Sequence, residues 1–308
     1  MTQDATTLKD LVQQGWTDHE RDPAGVLARL ACALELVSAS DDLPGPVALA
    51  VHVAAEHLGR PQDGLALLER YAALPLCDPA SAGGQAVTRG QAALLLCAGE
   101  AAAAEETIAR AHGDSPLPLA STRVRVLAVA ASGLAGTGQV EQGAALFSEA
   151  LELAAYGPGA DDPAARALAI TGNNLACTLE EKSGRTPAED ALLEAAAQAA
   201  RRFWEVAGTW SQVQVAEYRL AHTYLALGRA ATALTHAEEC QRICAEQEAT
   251  PFDRFFASEA VAKARHATGD TAGAVAAREA ARQAAGEVKE GARDYVLAQL
   301  AKLEGALE

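Results

Sequence analysis

The chain has 308 residues and a formal net charge of −16, with 25 lysines and arginines against 41 aspartates and glutamates. This balance argues against nucleic acid or an anionic membrane surface as its main partner, because both attract clustered cations. Half of the residues are hydrophobic but only 4% are aromatic, a composition that favours closely packed helices over β-sheet.

The length exceeds that of a usual single globular core, so two domains and an elongated repeat array are both open. No run of about 18 apolar residues occurs, and the start of the chain lacks the apolar core of a signal peptide. The six cysteines are scattered without the paired spacing of a disulfide framework. We therefore expect a cytoplasmic protein with reduced thiols and no membrane span.

A glycine recurs along the chain between two apolar helical stretches, and we call these residues the marker glycines. A small residue lies five positions after each of them, as expected where two helices approach closely on either side of a turn. Glycine also suits the positive φ that often ends a helix. The marker glycines are Gly59, Gly99, Gly138, Gly228 and Gly269.

The marker glycines divide the chain into helical pairs, and two less regular units centre near Glu20 and Ser183. Thr186 and Thr250 each precede a proline and stand three residues before an acidic residue, which predicts helix N-termini there. We predict an all-α fold in a single domain, 1–308. Its repeats cover roughly 6–40, 45–76, 85–113, 121–156, 164–207, 212–248 and 253–286, and a capping helix covers 287–308.

The pattern resembles the tetratricopeptide repeat, most clearly in AEYRLAHTYLALGRAATALTHAEEC and in VLAVAASGLAGTGQVEQGAALFSEALELA. In the first stretch the matching residues are Leu220, Ala221, Tyr224, Gly228, Ala233 and Cys240. The resemblance covers roughly residues 6 to 285 and implies a right-handed α-solenoid of about seven antiparallel helical pairs plus a C-terminal capping helix. Because the intervals exceed the ~34-residue period of the family, another solenoid of helical pairs is an alternative.

The resemblance also implies a binding surface, since one face of each first helix lines the concave groove in tetratricopeptide proteins. An amide or guanidinium there can hydrogen-bond the backbone or a carboxylate of an extended peptide. An ordinary solvated surface is the alternative reading of the same residues. The predicted groove residues are Arg89, Arg125, Asn173, Asn174, Tyr218, His222, Lys263 and His266.

One candidate metal site stands out, because His236, Cys240 and Cys244 share a helix face and are good zinc ligands. Cys240, however, falls on the small-residue position of the repeat, where a free cysteine packs as a small hydrophobe. A fourth ligand with recognisable spacing is missing. We predict packing for these residues, and neither a metal nor a cofactor for the chain.

Sequence motifs of catalysis are missing, including the phosphate loop, the nucleophile elbow and H-E-x-x-H. We predict a non-enzymatic scaffold or adaptor that binds a peptide or partner protein and binds neither nucleic acid nor membrane; a homo-oligomer is compatible with this role. A regulatory module that responds to a peptide or ligand is one alternative. A metal-dependent enzyme on the same scaffold is a second.

Overall fold

A computed structural model describes residues 7–113 and 115–307, and its regular structure is entirely helical over those ranges. The prediction of an all-α fold is therefore confirmed for the described residues. The first eight helices are α1 Leu8–Asp18, α2 Pro23–Cys32, α3 Pro44–His52, α4 Pro61–Ala72, α5 Ala82–Cys97, α6 Ala101–His112, α7 Leu119–Gly136 and α8 Val140–Leu153. The others are α9 Pro163–Glu181, α10 Pro187–Ala207, α11 Trp210–Ala226, α12 Ala230–Glu246, α13 Pro251–Ala267, α14 Thr271–Glu287 and α15 Glu290–Ala306.

The helices group into two compact units, and the boundary falls inside α9, between Leu168 and Ala169. In the first unit each helix from α1 to α8 packs on the next, and α1, α3, α5 and α7 also pack on one another in succession. In the second unit the same holds from α10 to α15, with α11, α13 and α15 in succession. This is the neighbour-to-neighbour packing of helical repeats.

The turns between paired helices follow the predicted pattern. All five marker glycines have positive φ, from 60° at Gly59 to 84° at Gly138. A residue with a Cβ is strained in this left-handed region, whereas glycine adopts it freely. The predicted turn positions are therefore confirmed.

The predicted helix starts are also confirmed. Thr186 and Thr250 are N-caps whose side chains accept from the backbone N–H three residues on, and the acidic side chains of Glu189 and Asp253 bond back to the cap. Each of these reciprocal capping boxes satisfies two backbone donors that the first helical turn leaves without an intrahelical partner.

Small residues let helices of one pair approach very closely. A Cβ added at Gly143 in α8 would lie 2.8 Å from the carbonyl oxygen of Ala131 in α7. In the second unit, a Cβ at Gly172 in α9 would lie 2.5 Å from the carbonyl oxygen of Ala196 in α10. At both places the helices approach until backbone meets backbone, which leaves no room for a side chain.

One segment departs from regular α-helix. Helix α3 runs directly into a π-helical turn, Val53–His57, in which the N–H of Leu58 donates to the carbonyl of Val53 at 3.0 Å. This turn packs against α7. Such π-turns are rare and often lie at functional sites, so the side chains that this one carries are of interest.

Candidate functional site

Charged side chains from α9, α11 and α13 meet in the second unit, and we call them the ion network. Arg219 Nη1 lies 2.7 Å from Glu180 Oε2. His222 stands between two acids, with Nδ1 3.5 Å from Glu180 Oε1 and Nε2 3.1 Å from Glu259 Oε2. Lys263 pairs with Glu259 as well. Two predicted groove residues, His222 and Lys263, thus share one acidic partner.

The ion network is largely withdrawn from water, with 12% of the His222 side chain and 5% of the Glu259 side chain exposed. Burial on its own would lower the pKa of His222, but hydrogen bonds to Glu180 and Glu259 outweigh it and the pKa is raised. Burial would likewise raise the pKa of Glu259, yet the hydrogen bond to His222 and the nearby positive charges lower it. The network therefore favours the protonated form of the imidazole and the ionised forms of both carboxylates.

The other predicted groove residues of the second unit lie around this network or apart from it. The ring of Tyr218 packs on His222 with centroids 4.4 Å apart, and burial raises the pKa of its hydroxyl. Asn173 Nδ2 lies 3.4 Å from Asn174 Oδ1. Asn174 and His266 are exposed. Of the predicted groove cations in this unit, His222 and Lys263 are thus paired with acids.

The first unit differs in this respect. Arg89 on α5 and Arg125 on α7 are half-buried on helices that pack together, and we call them the arginine pair. Within residues 7–113 and 115–307, neither guanidinium has a hydrogen bond or an ion pair. Burial, followed by the charge of Arg125, lowers the pKa of Arg89 to about 10. Two positive charges are therefore held close together without an acid between them.

The negative charge of Asp162 acts on Arg125 of the arginine pair. It raises the pKa of Arg125 and so offsets part of the lowering caused by burial. The carboxylate of Asp162 is already engaged: Oδ1 accepts from Ser121 Oγ at 2.5 Å and from the Ala164 N–H at 2.9 Å. Oδ2 accepts from the Tyr156 hydroxyl at 2.7 Å. These three donors hold the carboxylate in place and leave the arginine pair without a direct partner.

Among His236, Cys240 and Cys244, it is Cys240 that occupies the buried position predicted by the repeat. Cys240 is fully buried and packs with Cys244 and with Ala257 on the neighbouring helix. The imidazole of His236 is held by Glu217, with Nδ1 2.7 Å from Oε2, and its ring stacks on Tyr224. The predicted packing role of Cys240 is therefore confirmed.

A different set of residues comes together in the first unit. His19, His52 and His57 each offer one ring nitrogen, and these three atoms lie within 4.8 Å of one another. We call them the histidine cluster. Sequence reasoning missed it because His52 and His57 are five residues apart, and on an α-helix that spacing places them about 140° apart around the axis. The one available signal was that three of the seven histidines precede residue 60.

Comparisons with known proteins add no family assignment: no protein-family model matches the chain, and a search of curated proteins finds no significant match. Among the described residues, no helix combines the length and apolar character needed to cross a lipid bilayer.

Proposed function

We propose that the chain is a non-enzymatic adaptor that binds an acidic peptide segment of a partner protein at the arginine pair. In this proposal the helical pairs form a right-handed solenoid of about seven repeats, similar to tetratricopeptide repeats, in a single cytoplasmic domain. The observation that carries the proposal is the absence of an acidic partner for Arg89 and Arg125 among the described residues.

An unpaired charge that is half-buried is energetically costly. A guanidinium that is partly withdrawn from water loses solvation, and a neighbouring like charge adds repulsion. The lowered pKa of Arg89 reports both effects. A carboxylate placed against the two side chains compensates for both the lost solvation and the repulsion. It accepts two parallel hydrogen bonds from a guanidinium and carries the opposite charge.

The surroundings of the arginine pair favour selectivity. The chain carries a net charge of −16, so its surface as a whole repels acidic ligands and attracts basic ones. A local positive site in such a surface favours an acidic segment at that one place. Attraction to the two arginines there offsets the repulsion that the segment meets from the rest of the surface. Glutamate or aspartate side chains and a C-terminal carboxylate offer the same chemistry.

Peptide binding to the full chain tests the proposal. We would titrate labelled glutamate-rich and glutamine-rich peptides of equal length, and we expect measurable affinity for the first alone. Arg89→Gln and Arg125→Gln should each weaken binding by about 10- to 100-fold, which corresponds to the typical 1.5–3 kcal/mol of a hydrogen bond to a charged group.

Arg123→Gln is the matched control. Arg123 also lies on α7, but its guanidinium is paired with Glu105 at 2.6 Å and with Glu149 at 3.0 Å. The control removes the same charge from the same helix and should leave the affinity unchanged. Equal binding of the two peptides, or equal losses in all three variants, would refute the proposed site.

A further inference from the structure

The histidine cluster is formed by two segments of the first unit. His19 directly follows α1, while His52 ends α3 and His57 ends the π-turn. The three rings are mutual neighbours, with centroid separations of 5.0, 5.0 and 4.7 Å. His52 Nε2 and His57 Nε2 are 3.0 Å apart. Three imidazoles thus point their nitrogens at a common centre.

The π-turn causes this convergence. Its hydrogen bond closes over five residues, so the turn is wider than an α-helical turn and brings His52 and His57 to the same side of the helix. The position of α1 supplies the third ring. Gly15 in α1 packs so closely on α3 that an added Cβ would lie 2.5 Å from Leu49 Cδ2.

Hydrogen bonds at the far side of two rings select the tautomer that ligation requires. Glu56 Oε2 lies 3.0 Å from His52 Nδ1. The Trp16 carbonyl oxygen lies 2.6 Å from His19 Nδ1. Each Nδ1–H donates to its oxygen, which leaves Nε2 as the ring nitrogen whose lone pair is available to a metal ion. Carboxylate or carbonyl support of this kind is typical of metal-binding histidines.

Neighbouring side chains shield the three rings partly from solvent and restrict their movement. The His52 and Glu56 side chains are 19% and 16% exposed. The indole of Trp16 packs against His52 with centroids 5.2 Å apart. Helix α7 packs closely against the Glu56 side chain, since a Cβ added at Gly136 would lie 2.4 Å from Glu56 Cγ. The supporting carboxylate therefore has little freedom to turn away from His52.

We propose that His19, His52 and His57 bind one divalent transition-metal ion, with zinc as the reference ion, and that Glu56 positions His52. Imidazole nitrogens suit zinc, copper, nickel and cobalt, whereas magnesium and calcium prefer oxygen ligands. Two zinc–nitrogen bonds of about 2.0–2.1 Å at a tetrahedral angle place the nitrogens about 3.3 Å apart. The 3.0 Å between His52 and His57 is already close to this value. Three protein ligands leave one coordination position for water or for a group of a partner.

Zinc titration of the full chain, stripped with a chelator, tests the site. We expect one zinc ion per chain that is retained in excess magnesium, and visible absorption bands from bound cobalt that report nitrogen ligands. His57→Ala and His52→Ala should each weaken zinc binding at least 100-fold. Glu56→Gln should weaken it about 10- to 100-fold, the usual effect of removing a supporting hydrogen bond.

Two controls separate this site from others. His112→Ala removes a histidine outside the histidine cluster and should leave zinc affinity unchanged. Cys240→Ala disrupts the other candidate ligand set and should also leave it unchanged. Far-UV circular dichroism of each metal-free variant shows that the helices are retained. No stoichiometric zinc on the unmodified chain would overturn the proposal, as would affinity that survives His57→Ala or is lost with Cys240→Ala.

Discussion

Arg123 and Arg125 lie two residues apart on α7, and their surroundings are opposite. Arg123 meets Glu105 and Glu149, whereas Arg125 meets no acid directly within the described part of the chain. The first is an ion pair of the kind that contributes little to stability and holds a helix surface in place. The second has no hydrogen-bond partner among the described residues. At the scale of a residue, the neighbouring helices decide which arginine has an acidic partner.

The ion pairs of His222 predict that the stability of the folded chain depends on pH. The pKa of His222 is raised in the folded chain, so its contribution to stability is fully present below its unfolded pKa of 6.5 and is lost as the pH rises through the folded pKa. Glu180 and Glu259 have lowered pKa values, so their contribution is present above 4.5 and is lost as the pH falls further. The alkaline loss should be on the order of 1 kcal/mol, as for one hydrogen bond.

Urea unfolding followed by circular dichroism from pH 6 to pH 9 measures this loss. In His222→Gln the decline assigned to this group should disappear, because glutamine does not titrate. His112→Gln serves as the control, since His112 has no carboxylate partner among the described residues, and it should keep the decline of the unmodified chain. A decline that is identical in His222→Gln would show that another group causes it.

At the scale of the element, the glycine turns and the capped helix starts are the features that the sequence predicts well. A turn glycine such as Gly228 and a capping threonine such as Thr250 act on residues within one helical turn, so the local pattern contains the whole cause. The π-turn does not have such a local signature. It depends on how Val53–His57 packs against α7, and the histidine cluster depends on that turn.

The same limit applies to the predicted groove residues. The spacing of the repeat places His222 and Lys263 on first helices, but it does not show that His222 meets Glu180 or that both residues share Glu259. Nor does it show that Asp162 is occupied by Ser121 and Tyr156. The pairings of His222 with Glu180 and of Ser121 with Asp162 join residues far apart in sequence, and their distances depend on the packing of several helices. Sequence alone therefore names the candidates and leaves their partners open.

The close approach of α7 and α8 predicts that a side chain added at Gly143 destabilises the fold. Gly143→Ala should reduce the free energy of unfolding by about 1–3 kcal/mol, because its Cβ would meet the backbone of Ala131 and Ala135 in α7. Thermal unfolding measures the effect. Gly286→Ala is the matched control: its Cβ meets nothing within 4 Å, so replacing a helical glycine there should stabilise by about 0.5–1 kcal/mol. Similar effects at both positions would contradict close packing of α7 and α8.

At the scale of the whole molecule, the distribution of charge determines which ligands the surface attracts. A net charge of −16 is spread over a chain in which most of the described arginines contact acids. In the ion network of the second unit, Arg219, His222 and Lys263 each have a carboxylate partner. The arginine pair is an exception in the first unit. A small positive site in an acidic molecule is expected to govern which segment binds and how fast it arrives.

Charge reversal at the arginine pair tests this claim most directly. The Arg89→Glu, Arg125→Glu double variant should lose binding of a glutamate-rich peptide and gain binding of a lysine-rich peptide of the same length, measured by fluorescence anisotropy on the full chain. The Arg123→Glu variant changes the net charge in the same direction and should keep the original preference for the acidic peptide. If the double variant ranks the two peptides as the unmodified chain does, the arginine pair is not the binding site.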